Sequence, residues 1–322
     1  MDELSRILGS IVANATPLVI ASIGETITER VGVVNLSLDG SIALAAMIGF
    51  VAAFASGSTA AGLVAGALVG MLIALLILFA NIELRQDQVA VGFVLTLLAA
   101  DLAQFLGQDY TRIPGPTFPK APIPLLSSIP LLGEMFFNQN ALVYFSLVLV
   151  VVTWFVMYRT RYGLALRAVG ERPAAAFARG TNVNRTRYLY TALGGMLVGL
   201  AGASYALAIK PGWANPPVMR GDGWIALAIV IFGGWHPFRV ALGAYLFAGL
   251  RALASTIQQS TDLPLVLVNM VPWVLMILTL LLVSSGAIDR LLRVTPGPVQ
   301  RWLRNFLRSD PPGALGTQFS RE

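Results

Sequence analysis

Few residues of this chain have side chains that carry chemistry, and most of them stand alone in apolar surroundings. The sequence has no cysteine and a single histidine, His236, which excludes disulfides, thiol catalysis and Cys-based metal sites. His236 lies in the short segment GGWHPFR, and one histidine makes no metal centre, so we expect it to serve a turn. Without a paired-carboxylate centre, the residues do not favour a membrane-embedded enzyme.

Acidic side chains within apolar segments are the next candidates for function. Asp101 lies in the apolar run 89–107, where a carboxylate costs roughly 2.5–3.5 kcal/mol on insertion scales. Asp101 either contacts a solute or pairs with a neighbouring helix, and Gln104 shares its helical face. Glu25, near the end of the first apolar run, is expected to snorkel to the membrane surface.

The segment ERVGVVNLSLDG at 29–40 combines polar side chains with glycines just before an apolar run. Its polar members are Asn35, Ser37 and Asp39. The pattern predicts an unwound or broken helix that lines a cavity. For Asp39, the alternative is a tight turn in which its carboxylate caps the following helix, and both roles are compatible.

A bundle of membrane-spanning helices must position these residues. Of the 322 residues, 56% are hydrophobic and 12% are charged, whereas roughly 25% are charged in soluble domains. We predict an all-α, polytopic integral membrane protein with about nine spans, in a range of about eight to ten. The predicted spans are roughly 6–26, 38–56, 60–80, 89–107, 141–158, 188–208, 221–234, 239–257 and 265–284.

Two domains and two local features follow from the same pattern. Residues 1–285 form the predicted transmembrane domain, and 286–322 form a cytoplasmic tail. Within the tail, 298–309 predicts an amphipathic helix that anchors to the inner membrane surface or binds a partner. The span 221–234 is short and predicts a broken or partly inserted helix, and the glycines of 193–202 predict close helix packing.

The most basic stretch of the chain, 159–187, carries seven arginines between long apolar runs. Basic loops stay on the cytoplasmic side, so this loop and the C-terminus are predicted to be cytoplasmic. The net charge of +6 therefore reflects membrane topology and does not indicate a nucleic-acid polymer as partner. The loop is either a docking surface for a second protein or a generic positive-inside connection.

The chain has no motif of its own for binding ATP. Its two lysines, Lys120 and Lys210, do not follow the glycine pattern of a P-loop. An ATP-driven action would therefore require a partner.

Several segments resemble permease subunits of ATP-binding-cassette (ABC) importers. RAVGERPAAAFARGTNV at 167–183 resembles their cytoplasmic coupling loop, in the branch that imports ribose, nucleosides and branched-chain amino acids. The segment 29–40 is similar to the ERxGVVNxGLEG signature of nucleoside-type permeases. Segments 122–144 and 223–247 and the ending PPGALGTQFSRE also resemble that branch.

The resemblance implies a transport subunit without enzymatic activity, which forms half of a translocation path for nucleosides. Simple sugars such as ribose are the alternative substrate, and a stand-alone secondary transporter is the rival mechanism. The implied partners are an ABC ATPase subunit that binds ATP and magnesium, a second homologous permease subunit in a heterodimer, and an extracytoplasmic solute-binding lipoprotein. The implied location is the bacterial inner (plasma) membrane, and no cofactor or metal is expected in this chain.

The resemblance also assigns site residues. Three positions depart from the family's pattern: Asp39 replaces Glu, Thr96 replaces Asn, and Gly221-Asp222-Gly223 stands where the family has GRG, so that Asp222 replaces Arg. Trp224, like Trp213 and Trp235, either stacks on a ring of the solute or anchors at the membrane interface. The ATPase-coupling residues are Arg167, Ala168, Gly170, Glu171, Pro173, Ala175 and Gly180; the candidate path residues are Asn35, Ser37, Asp39, Thr96, Asp101, Asp222 and Trp224.

Overall fold

The computed structural model describes residues 2–127, 129–130, 132–214, 217, 219–260, 270, 273–274, 277–278 and 311–319. Within these ranges the chain forms ten α-helices and no β-strand. The helices are α1 (Asp2–Arg30), α2 (Leu38–Ser56), α3 (Thr59–Ile82), α4 (Gln88–Leu106), α5 (Ala141–Arg159), α6 (Arg161–Glu171), α7 (Pro173–Ala178), α8 (Val183–Ser204), α9 (Asp222–Gly233) and α10 (Pro237–Ser260).

Seven of the described helices are long and apolar enough to cross a bilayer, namely α1 to α5, α8 and α10. The seventh predicted span, 221–234, corresponds to the apolar helix α9, which has only 12 residues and therefore covers about 18 Å. This confirms both the all-α, multi-pass membrane fold and the expectation of a short helix after 220. The predicted ninth span, 265–284, lies mostly outside the described residues, and the predicted amphipathic helix 298–309 lies wholly outside them.

Glycine contacts hold α3 and α8 together in the centre of the bundle. A Cβ atom added at Gly199 would lie 2.1 Å from the carbonyl oxygen of Gly66, and one at Gly70 would lie 2.3 Å from that of Gly195. Such backbone proximity is how helices associate in lipid, where water does not drive them together. The predicted close packing of the glycines in 193–202 is confirmed.

The connections between helices gather on two opposite faces of the bundle. On one face, Arg30 at the end of α1 lies 3.7 Å from Glu171 at the end of α6 and donates to the carbonyl oxygen of Trp235 at 3.2 Å. On the other face, the Arg112 amide donates to the carbonyl oxygen of Trp213 at 3.2 Å. The α1–α2 connection, the α6–α7 loop and the turn before α10 thus share one side, as the sequence predicted.

A substitution at the α3–α8 contact tests this packing. We expect Gly199→Leu to lower the stability of the protein by about 1–3 kcal/mol or more, because the added side chain must force the two helices apart. The measurement is the thermal unfolding midpoint in detergent. Gly249→Leu on α10 is the matched control, since no atom of the residues that the structure describes lies within 4 Å of a Cβ atom at that position. Equal midpoints for the two variants would contradict this account of the packing.

Candidate functional site

A non-helical stretch, 31–37, separates α1 from α2 and lies inside the bundle. The Val34 amide donates to Oε1 of Gln88 at 2.8 Å, and the Asn35 amide donates to Oε1 of Glu25 at 3.3 Å. Non-helical backbone at membrane depth requires such partners, because lipid offers none. The predicted break is confirmed, but the prediction that Glu25 snorkels is wrong. Glu25 is fully buried because it supports the backbone of this segment.

Asn35 and Ser37 serve the fold of the same segment. The Ser37 hydroxyl donates to Oδ1 of Asn35 at 2.6 Å and lies 3.0 Å from the Ser41 hydroxyl. Both Asn35 and Ser37 are buried. Their side chains therefore shape the entry into α2.

The first turn of α2 lies deep in the bundle, beside the middle of α4. The Gly40 amide donates to Oγ1 of Thr96 at 2.9 Å, and Thr96 is the ninth of the 19 residues of α4. A Cβ atom at Gly40 would lie 2.1 Å from the Thr96 carbonyl oxygen. The buried Thr96 thus marks the depth at which α2 begins.

Asp39 connects the start of α2 to the start of α9. Its Oδ1 accepts hydrogen bonds from the amides of Gly221 at 2.8 Å and Gly223 at 3.1 Å. The sequence allowed Asp39 to cap its own helix, and this alternative is wrong, because the carboxylate caps α9 across the bundle. The unsatisfied amides at a helix N-terminus favour a negative charge, so each of the two broken helices stabilises the other.

A charge pair adjoins these helix ends. Asp222 is 1% exposed, and its carboxylate makes two bonds with Arg251, from Nη2 to Oδ1 at 2.5 Å and from Nη1 to Oδ2 at 3.2 Å. The Tyr205 hydroxyl donates to Oδ2 at 2.5 Å. The Arg251 side chain is 45% exposed, so one edge of the pair is accessible. We call Asp39, Tyr205, Asp222 and Arg251 the polar cluster.

Two members of the polar cluster were missed by the sequence reasoning. Arg251 lies within the predicted span 239–257 but was not recognised as a candidate, although it is the fifteenth of the 24 residues of α10. An arginine that far inside an apolar helix was itself a signal of function. Tyr205 carried no such signal, because it is one of the eight tyrosines of the chain and only the fold brings it to Asp222.

The two remaining candidate path residues, Trp224 and Asp101, lie apart from each other, and the tryptophans Trp213 and Trp235 lie elsewhere. Trp224 follows the polar cluster in α9 and packs against Phe93, with 6.5 Å between ring centroids. Trp213 is buried at the opposite face of the bundle, and Trp235 is bonded to Glu29. Asp101 is exposed on α4, away from the buried Thr96, and the fold does not bring it to the polar cluster.

The seven residues predicted for the coupling loop lie in α6 and α7 or directly after them. Glu171 and Ala175 are exposed and line a groove of about 570 Å³ between these helices. Gly170 faces inward, and a Cβ atom there would lie 2.0 Å from the carbonyl oxygen of Arg30. The groove residues include Arg161, Ala168, Glu171, Arg172, Ala175 and Arg179.

These contacts place the polar cluster and the loop groove at the two ends of one short segment. Gly170 touches the end of α1 at Arg30, the chain continues through 31–37, and Asp39 bonds to the start of α9. Less than ten residues of backbone therefore separate the contact with the α6–α7 loop from the polar cluster. Such an arrangement suits a device that couples movement at one face to a site in the membrane.

The family described as the permease component of the branched-chain amino acid transport system matches residues 7–280. This chain belongs to that family. The permease is 35% identical to NupC of Lactococcus lactis subsp. cremoris, a nucleoside ABC transporter permease protein, over 89% of the permease and 95% of NupC.

Two further relatives also align with the permease over most of both chains. NupQ of Bacillus subtilis, a guanosine ABC transporter permease protein, is 35% identical over 86% of the permease and 91% of NupQ. TsgC13 of Haloferax volcanii, whose name assigns it provisionally to glucose ABC transport, is 40% identical over 79% of the permease and 78% of TsgC13.

His236 has a structural surrounding, as its position in a turn predicted. Its ring centroid lies 5.2 Å from that of Tyr158 and 6.0 Å from that of Phe238. Burial, followed by the nearby charges of Arg239 and Arg30, lowers the pKa of His236 from 6.5 to about 4. The folded permease therefore holds this imidazole neutral at physiological pH.

The polar cluster predicts a stability pattern in three variants. We expect Arg251→Met to destabilise the permease by about 1.5–3 kcal/mol, because it leaves the buried Asp222 carboxylate without its charged partner. The double variant Asp222→Leu/Arg251→Met should recover much of that loss, since an apolar pair can replace a buried ion pair. Arg251→Lys is the control that keeps the charge. Thermal unfolding of all three is the measurement, and a double variant no more stable than Arg251→Met would contradict a direct pairing.

The lowered pKa of His236 predicts an acid-sensitive stability. The unfolded chain binds a proton near pH 6.5 while the folded permease does not bind it until about pH 4, so stability falls as pH decreases through this window. We expect His236→Asn to lose less stability than the wild type between these two pH values. Unfolding midpoints in detergent across this range provide the test, and parallel curves for the two proteins would contradict it.

Proposed function

We propose that this permease is the membrane subunit of an ABC importer and forms half of the translocation path for nucleosides. One observation carries the proposal: the groove-bearing α6–α7 loop touches the broken α1–α2 segment, which ends at the polar cluster. An importer needs this connection, because its energy source lies at one face and its solute crosses the middle of the membrane. The rest of the proposal assigns a role to each part.

The α6–α7 loop is the proposed docking surface for the ATPase subunit. Its groove is rimmed by arginines and contains the small residues Ala168 and Ala175, which permit close approach of another protein. ATP and magnesium bind to that subunit, and this chain holds no cofactor in the proposal. Gly170 then transmits a displacement of the loop to the end of α1, because its Cα lies directly against the backbone carbonyl group of Arg30.

The polar cluster is the proposed centre of the translocation path. Asp39, Asp222 and the accessible edge of Arg251 offer acceptors and donors for the hydroxyl groups of a sugar moiety. Trp224 offers a ring face on which a base can stack. Thr96, Asn35 and Ser37 position the start of α2, while Asp101 takes a separate place on the exposed face of α4.

Nucleosides are favoured as substrates over simple sugars for a chemical reason and a comparative one. A nucleoside combines hydroxyl groups with an aromatic ring, and the polar cluster next to Trp224 matches both. NupC and NupQ, which are named for nucleoside and guanosine transport, align over more of the chain than TsgC13 does. The glucose assignment of TsgC13 keeps simple sugars as the second candidate.

Two more partners, and the orientation of the permease in the membrane, complete the proposed importer. Arg251 is 45% exposed beside the buried Asp222, so a second, homologous permease subunit completes the path as a heterodimer. A solute-binding lipoprotein delivers the substrate from outside the plasma membrane. The face with the α6–α7 loop and residues 311–319 is cytoplasmic, because the loop carries most of its charge as arginine.

Uptake into proteoliposomes tests the function directly. The permease is reconstituted with its ATPase, second permease and binding-protein partners, and labelled guanosine, uridine, ribose and glucose are offered with or without ATP. We expect ATP-dependent uptake of the nucleosides and little uptake of the sugars. Uptake of sugars alone would replace the substrate, and uptake driven by an ion gradient without the ATPase would establish a secondary transporter instead.

A bulky residue in the loop groove tests the docking surface. We expect Ala175→Trp to weaken co-purification with the ATPase by about tenfold or more, which corresponds to about 1.4 kcal/mol, because the exposed side chain fills the groove. The fold should be unaffected, unlike in substitutions of Gly170, where a Cβ atom has no space. Ala55→Trp, at an exposed position on the opposite face, is the control. Unchanged co-purification of Ala175→Trp would contradict docking at this groove.

A further inference from the structure

Residues 311–319 lie against the same face as the α6–α7 loop, far in sequence from everything they contact. Pro312 and Ala314 are buried, and Phe319 is partly buried and packs against the apolar cluster that includes Val169 and Ala176. We call 311–319 the C-terminal clip. Besides the bond from Nε2 of Gln318 to the carbonyl oxygen of Gln86 at 3.3 Å, its contacts form two groups.

The first group joins the C-terminal clip to the proposed docking loop. The Ala314 amide donates to the carbonyl oxygen of Gly170 at 2.8 Å, and the Gly313 amide donates to Oε2 of Glu171 at 3.1 Å. The rings of Phe319 and Phe177 lie 5.7 Å apart. The C-terminal clip thus contacts both the end of α6 and the helix α7.

The second group joins the C-terminal clip to the broken segment and to α8. The Gly316 amide donates to the carbonyl oxygen of Gly32 at 3.0 Å, at the start of the 31–37 stretch. The Thr317 carbonyl oxygen accepts a bond from Nη1 of Arg187 at 3.0 Å. Gly32 is therefore held between the docking loop and the C-terminal clip.

Arg187 makes this contact costly to release. Within the described part of the chain it is the largest fully buried side chain, and its Nε and Nη2 atoms have no hydrogen-bond partner there. The Thr317 carbonyl oxygen is thus the acceptor that partly compensates a buried charge. Because an unpaired buried charge is strongly unfavourable, this contact favours a C-terminal clip that stays bound while the helices around it move.

We propose that the C-terminal clip makes the docking loop and the broken α1–α2 segment move as one body, so that ATPase movement reaches the polar cluster. Gly170 lies directly against Arg30 and Gly32, and the clip bridges Gly170 and Gly32 a second time through the amides of Ala314 and Gly316. A single backbone contact can slide, whereas a peptide bonded on both sides fixes the spacing. The inference rests on the proposed function of the α6–α7 loop and extends it to a third element.

A matched pair of substitutions within the C-terminal clip tests the proposal. Ala314→Trp replaces a buried side chain and should displace the clip, while Gln318→Trp adds the same group at an exposed position and removes only the side-chain bond to the carbonyl oxygen of Gln86. We expect faster amide hydrogen exchange in peptides that cover 29–40 for Ala314→Trp only. The reconstituted complex that carries Ala314→Trp should still hydrolyse ATP. The amount of guanosine taken up per ATP hydrolysed should fall about tenfold or more, which corresponds to about 1.4 kcal/mol of lost coupling.

A cross-link separates the clip from a misfolding effect. The chain has no cysteine, so Phe177→Cys/Phe319→Cys can be joined with a short bifunctional thiol reagent without background reaction. A clip that moves with the loop predicts that the linked protein transports at least as well as its unlinked form. Loss of transport on linking, or wild-type exchange and coupling in Ala314→Trp, would overturn the proposal. The hydrogen-exchange result is independent of the solute, so a failure of guanosine uptake in the wild type overturns the proposed substrate and leaves the clip result standing.

Discussion

The permease depends on one constraint: two of its helices begin inside the membrane, where their open backbone amides require acceptors from the protein. Asp39 supplies the acceptor for α9, and Glu25 and Gln88 support the backbone before α2. A carboxylate at this depth costs roughly 2.5–3.5 kcal/mol on insertion scales, and a helix N-terminus is a site that offsets the cost. The polar cluster is therefore a consequence of how the broken helices are completed.

The same constraint explains why a distant face can influence the cluster. The bonds that satisfy 31–37 leave little freedom for this segment to move without moving Asp39. The other end of the segment 31–37 lies between Gly170 and the C-terminal clip. The segment is therefore held on both sides where the proposed ATPase surface begins. Rigid packing transmits small displacements because dense interiors are not continuously deformable. The break in the helix is therefore also the proposed mechanical link between the ATPase surface and the polar cluster.

The fold class, most helix positions and the break before α2 could be predicted, because long apolar runs and polar residues with glycine are local patterns. The partners of the polar residues could not be predicted in this way. Asp39 caps a helix 182 residues away, and Arg251 pairs with Asp222 on another helix, 29 residues away. Asp101 attracted attention by its charge alone, although the structure leaves it apart from the cluster.

Thiol accessibility at the cluster is the most direct test of the central claim that ATPase engagement moves the broken segment. Ser41→Cys introduces a single reactive group at a buried position next to Ser37, in a chain that otherwise lacks cysteine. The account predicts that ATP changes the rate of its modification by a water-soluble thiol reagent by about tenfold or more in the complete importer complex, since about 1.4 kcal/mol separates the two states at that ratio. A rate that ATP leaves unchanged, while the same complex imports its solute, would contradict it.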